Sequence, residues 1–151
     1  MKVLVDSSVI IEFENGRNEE LLTTLFNKSE LDLCLNSVVA SEYFYKLLGI
    51  LAGKSPMNVC ESGKIDEVLS EHDTTTFLSY FTLIDTPKES INLALRFMRK
   101  YNLLPNDALI LATCKLLNIS ILASLDSDYK LACDSENIQL IDSVELARMI
   151  P

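Results

Sequence analysis

Histidine is nearly missing from this chain: His72 is the only one. A Ser-His-Asp triad would have to use it. It stands beside Asp73 in the least regular stretch, where a solvated loop residue is the expected role. Glycine and proline are sparse, four of each, so a disordered or low-complexity chain is excluded on composition. The four cysteines, Cys34, Cys60, Cys114 and Cys133, form no CxxC pair, which leaves a zinc site or disulfide framework unsupported. Cys34 and Cys114 sit in apolar runs and are expected to be buried. The longest apolar runs, 47–52 and 108–112, are too short to cross a bilayer. No GxxxxGK[ST] stretch exists, so a P-loop is absent. The N-terminus enters a strand pattern with no basic, apolar leader, so a soluble cytoplasmic protein without a membrane partner is expected. Positive charge is also scarce: 13 Lys and Arg against 22 Asp and Glu give a net charge of −9. An extended basic face for coating nucleic acid is therefore excluded. A nuclease is not, because part of the negative excess can be gathered at a cation site.

Core-forming material is abundant. Hydrophobic residues make up 48% of 151 residues, and the mean hydropathy is +0.21. The length suits one domain, 1–151. Short strand patterns at 3–5, 32–35, 81–85, 119–123 and 138–141 alternate with helical ones. The strongest helices are predicted over 38–52, 88–101 and 106–117, the last being apolar enough to be central. Asn36 or Ser37 is the expected cap of the first. In the second, Ile91, Leu95 and Met98 form the expected core stripe, with Leu93 and Phe97 widening it. The alternation predicts an α/β fold, a three-layer α/β/α sandwich around a mostly parallel sheet of about five strands. The segment 53–76 is irregular and helical, broken by Gly53, Pro56 and Gly63, and reads as an elaboration on that domain.

Four carboxylates fall where such a fold converges its loops. Asp6 ends the first strand, Glu42 lies one turn into the 38–52 helix, Asp107 opens the central helix, and Asp126 follows the fourth strand. Asp128 is a possible fifth. Capping or the helix dipole explains any one of the aspartates alone. Their coincidence points further. Clustered like charges repel unless a cation neutralises them, and oxygen-only donors favour Mg²⁺ or Mn²⁺. The metal-ligand set read from position is Asp6, Asp107 and Asp126. Asp6 and Asp107 would bind directly, and Asp126 with Glu42 would hold a second ion or a metal-bound water. The chemistry implied is metal-assisted phosphodiester hydrolysis. A haloacid-dehalogenase-type phosphatase needs an acid two residues after the first, and position 8 is Ser. Arg96, Arg99, Lys100, Lys46 and Lys115 are available for phosphate contacts, or for plain solvation. Tyr43 and Tyr45 are available for base stacking, or for the core.

Four stretches together resemble the PIN domain: VDSSVIIEF from Val5, SVVASEYF around Glu42, NDALILATC from Asn106, and LASLDSDY from Leu122. They look most like the toxin nucleases of type II toxin–antitoxin pairs, the VapC group. The resemblance covers nearly the whole chain. It implies a Mg²⁺- or Mn²⁺-dependent endoribonuclease with Asp6, Glu42, Asp107 and Asp126 as the acidic quartet. It also implies an RNA substrate, a cognate antitoxin and a homodimer. Ser8 matches the polar position after the first acid, Ser124 replaces the usual threonine before the last, and Asp128 matches a second acid often found there. The segment 53–76 is longer than in a minimal toxin. A stand-alone RNA-processing nuclease and a non-catalytic interaction module on the same fold remain the alternatives.

Overall fold

The computed structural model describes residues 1–151. Val3, Leu4 and Val5 are all fully buried, so β1 (Lys2–Val5) is covered on both faces, as a central parallel strand must be. Its neighbours are β2 (Asp32–Asn36) and β4 (Ile121–Ala123), with β3 (Thr82–Ile84) and β5 (Gln139–Ile141) outermost. The order is β3-β2-β1-β4-β5, and every pairing is parallel. Val3 pairs with Leu33 on one side and Ile121 on the other.

Two helices, α1 (Ser7–Glu14) and α2 (Glu19–Phe26), link β1 to β2. Four follow β2: α3 (Ser37–Ala52), α4 (Pro56–Glu61), α5 (Ile65–Leu69) and α6 (Thr74–Leu78). After β3 come α7 (Ser90–Tyr101) and α8 (Pro105–Leu116), then α9 (Tyr129–Glu136) between β4 and β5, and α10 (Val144–Met149). Right-handed crossovers put the helices before β3 on one face and α7, α8 and α9 on the other. The packing agrees: α1 lies against α2 and α3, while α7 and α9 lie against α8. The three-layer arrangement expected from the sequence is the one observed. No helix is long and apolar enough to cross a membrane. Cys34, Cys114 and Cys133 are buried free thiols.

Connections leave β1 toward β2 and leave β4 toward β5, in opposite directions. The crevice of an open parallel sheet lies at the carboxyl ends of strands where the direction reverses. Here those ends are Val5 and Ala123, and the backbone N–H of Asp6 donates to the Ala123 carbonyl at 2.9 Å. Asn36 at the end of β2 is the α3 cap: its Oδ1 accepts from the Val39 amide at 3.0 Å, and its Nδ2 donates to Thr113 of α8 at 3.2 Å. One side chain thus starts α3 and ties it to α8.

Gly63 adopts φ +67° between α4 and α5, and a left-handed residue ends a helix. Two expectations are corrected. Within the 88–101 stripe Ile91 and Leu95 face outward, 63% and 47% exposed, while Phe97 is buried and Leu93 and Met98 pack against the core. The inward row is Ala94, Phe97 and Tyr101, and this helix packs against α8 and α9. In α3 the inward row is Val39, Tyr43 and Leu47, so of the two tyrosines Tyr43 goes to the core. His72 is not a solvated loop residue. Its ring sits between Glu14 Oε2 at 3.1 Å and Thr74 Oγ1 at 2.9 Å. Glu14 Oε1 in turn accepts from the buried Tyr43 hydroxyl at 2.7 Å. This polar knot ties 53–76 to α1 and α3.

Candidate active site

Asp6 is both a helix cap and a buried acid. It is the N-cap of α1, accepting from the Ser8 amide at 3.3 Å, and only 4% of it is exposed. The Ser8 hydroxyl donates to Oδ2 at 2.5 Å and the Ser124 hydroxyl donates to the same oxygen at 2.8 Å. All three bonds land on Oδ2, so Oδ1 carries no protein donor. Burial raises the Asp6 pKa above the ordinary carboxylate range, against the pull of the two serines. Ser8 Oγ also accepts from the Leu125 amide at 3.0 Å, and Ser124 Oγ accepts from the Asp126 amide at 3.1 Å. The two serines therefore bind the β1 and β4 loops into one unit. Of the three accessory positions anticipated from the sequence, Ser8 and Ser124 sit against Asp6.

Asp107 stands in the first turn of α8, where the helix dipole favours a carboxylate. Its pKa is nevertheless raised to about 6, by burial and then by the charges of Asp126, Asp6 and Glu42. The Tyr129 hydroxyl opposes this by donating to Oδ1 at 3.3 Å. Tyr129 is fully buried, and its own pKa is pushed well above the ordinary value by burial and by Asp6, Asp107 and Glu42. Asp126 folds over its own turn, Oδ1 accepting from the Asp128 amide at 2.9 Å.

Glu42 is held at both oxygens. Ser7 Oγ donates to Oε2 at 2.9 Å, and Asn106 Nδ2 donates to Oε1 at 2.7 Å. One donor precedes Ser8 in α1 and the other precedes Asp107 in α8, so this carboxylate bridges both layers. Sequence reasoning missed Ser7 and Asn106 as site residues. The available signal was position, since each is the immediate neighbour of an acid.

The structure thus brings Asp6, Glu42, Asp107 and Asp126 into one electrostatic neighbourhood, with Ser8 and Ser124 beneath Asp6. Asp128 is exposed. No three carboxylates close into a preassembled cation cage. Like charges left without a cation repel, and that repulsion adds to burial in raising the Asp107 pKa. The donor set is all oxygen and fits a hard divalent ion. Of the basic residues considered from the sequence, Lys100 and Lys115 are committed to Glu136 at 3.2 and 3.0 Å. Arg96 and Arg99 are exposed, and only Lys46 borders the acids.

Comparison with known proteins places this geometry. The chain is 35% identical over 140 residues to Ribonuclease VapC6 of Methanocaldococcus jannaschii, covering 85% of this chain and 90% of that one. FitAcB from Neisseria gonorrhoeae superposes with a TM-score of 0.64 at 20% identity, covering 92% of this chain and 96% of its own. A toxin–antitoxin complex from Klebsiella pneumoniae gives a TM-score of 0.57 at 19% identity, covering 84% and 89%. Residues 3–134 match the model of the PIN domain, and the chain belongs to that family.

Proposed function

We propose that this protein is a divalent-metal-dependent endoribonuclease, the toxin of a type II toxin–antitoxin pair acting in the cytoplasm. The reading takes 1–151 as one nuclease domain with 53–76 as its elaboration. The observation that carries it is that Asp6, at the end of β1, and Asp107, in the first turn of α8, lie near enough for the Asp6 charge to help raise the Asp107 pKa. Each keeps one carboxylate oxygen without a protein donor, and each has its pKa raised. The match to a relative named a ribonuclease, and the fold shared with a toxin–antitoxin complex, support the activity class and the antitoxin partner. A homodimer belongs to the same reading.

Asp6, Asp107 and Asp126 would hold the ion, Mg²⁺ or Mn²⁺. When bound, that ion supplies a water of lowered pKa and charge stabilisation at the phosphoryl group. Ser8 and Ser124 hold the Asp6 carboxylate by Oδ2, which leaves Oδ1 for the ion. Tyr129 fixes Asp107 from below. Glu42, restrained at both oxygens, retains a lone pair on each and orients a water over the scissile phosphate.

The test is cleavage of unpaired and structured RNA with Mg²⁺, Mn²⁺ or EDTA, for the wild type, Asp6→Asn and Asp107→Asn. Metal-dependent cleavage lost in both variants is expected. Cleavage in EDTA, or full activity in both variants, overturns the proposal. No cleavage together with no thermal stabilisation by Mn²⁺ restores the non-catalytic interaction module.

A further inference from the structure

Two recesses flank the acid cluster, and one cation stands between them. The larger, about 640 Å³, is bordered by Ser7, Ser8, Glu12, Lys46 and Asp126. The smaller, about 380 Å³, is bordered by Ser7, Glu42, Tyr45, Lys46 and Asn106. Ser7 and Lys46 are common to both, so the two recesses adjoin and together make the groove beside Glu42. Of the 13 Lys and Arg residues, Lys46 alone borders it. Lys46 is exposed and makes no ion pair, although Glu42 lies one helical turn before it. Glu42 is already occupied by Ser7 and Asn106. Glu12, the other acid at the rim, is paired with Arg17 at 3.1 Å. Tyr45 is 55% exposed on the same face of α3, its ring turned to the groove rather than to the core that takes Tyr43.

We propose that Lys46 and Tyr45 form the substrate subsite of this groove, Lys46 holding a backbone phosphate next to the scissile one and Tyr45 stacking an unpaired base. The proposal rests on the ribonuclease reading above. A lysine ammonium is a mobile point charge suited to a phosphate and indifferent to sequence. An exposed tyrosine ring offers a stacking face to any base freed from pairing. Glu42, Tyr45 and Lys46 lie three and four residues apart, so one face of α3 presents water-orienting carboxylate, ring and cation side by side. The substrate is then an unpaired RNA segment, because a base in a duplex has no free face for Tyr45. On a surface of net charge −9, a single unpaired cation beside the acids also sets where the backbone enters.

The experiment measures Mn²⁺-dependent kcat/KM on a fluorescent unpaired oligoribonucleotide and on its duplex, across a range of salt, for wild type, K46A, K46R, Y45A and Y45F. Both positions are exposed, and melting curves check the fold of each variant. Wild type should prefer the unpaired strand. K46A should lose about tenfold in kcat/KM, with the slope of log(kcat/KM) on log salt shallower by about 0.7, one phosphate contact on a single strand. K46R should restore both. Y45A should lose about tenfold and Y45F little, since the ring and not the hydroxyl stacks. The Mn²⁺-induced rise in melting temperature without RNA should be the same in all five proteins. An active wild type with unchanged K46A slope and rate, or unchanged Y45A rate, overturns the subsite while the ribonuclease reading stands. A wild type that cleaves neither RNA overturns both.

Discussion

Replacing Asp107 with asparagine should stabilise the metal-free protein at neutral pH. Burial and three neighbouring acids raise the Asp107 pKa from the ordinary 3.8 to about 6. At about 1.36 kcal/mol per pH unit, that rise corresponds to about 3 kcal/mol lost from folding once the group is ionised. Asp107 is only half-buried, so solvent screening leaves roughly 1–2 kcal/mol. The sign follows from linkage. A carboxyl whose folded pKa is raised holds its proton more tightly when folded, so its contribution to stability is complete below about pH 4 and lost as pH rises through about 6. Asparagine keeps the shape and can still accept from the Tyr129 hydroxyl, but carries no charge. Thermal unfolding in EDTA at pH 7.5 should therefore show the variant melting about 2–8 °C above the wild type. At pH 4 the two should coincide. Mn²⁺ should reverse the order, raising the wild type and leaving the variant behind. A variant no more stable than wild type in EDTA at pH 7.5 refutes the claim that burial and the neighbouring acids penalise the Asp107 charge.

Three further outcomes follow from the hydrogen bonds. Asn106→Ala and Ser7→Ala each free one oxygen of Glu42, and kcat for RNA cleavage should fall about tenfold or more in each, with little change in melting temperature. Glu14→Ala leaves the buried Tyr43 hydroxyl without its acceptor and frees His72, which should cost about 1–3 kcal/mol by urea denaturation and quicken proteolysis within 62–76. Asn36→Ala removes the α3 cap and its link to Thr113, and should cost about 1–2 kcal/mol in the same assay.

What the sequence disclosed was periodicity and punctuation. A run of three apolar residues closed by Asp6 can be read as a buried strand delivering an acid, and the structure places Asp6 there. The central helix was equally plain, because Ala108 to Cys114 leaves almost no polar face, and all but Leu109 are buried. Periodicity failed where two apolar faces competed. The α7 sequence carries both an Ile91–Leu95 row and an Ala94–Phe97–Tyr101 row, and spacing alone does not say which one meets α8. The polar contacts were silent for another reason. Glu14 and His72 are 58 residues apart, and Glu42 and Asn106 are 64 apart. No local pattern encodes a bond that only the tertiary fold creates. Ser7 and Asn106 were nonetheless within reach of reasoning, since a donor next to one acid is well placed to hold another when loops converge.

The manner in which the acids are held also bears on what the site is for. Elsewhere carboxylates find cations: Glu12 has Arg17, Glu20 has Arg148, and Glu136 has Lys100 and Lys115. Asp6, Glu42, Asp107 and Asp126 have none. Their partners are serine hydroxyls, an asparagine amide, a tyrosine hydroxyl and backbone amides. Such donors fix direction without cancelling charge. A resident arginine would stabilise the fold more and would leave no field to attract an external cation. Lys46 passes within the same groove and still leaves Glu42 to neutral donors. Four acids aimed by neutral groups, with charge uncompensated and the pKa values of Asp6 and Asp107 both raised, are arranged at some cost in stability. That cost is recovered only when a multivalent cation arrives, so the arrangement fits a site that works with a bound metal.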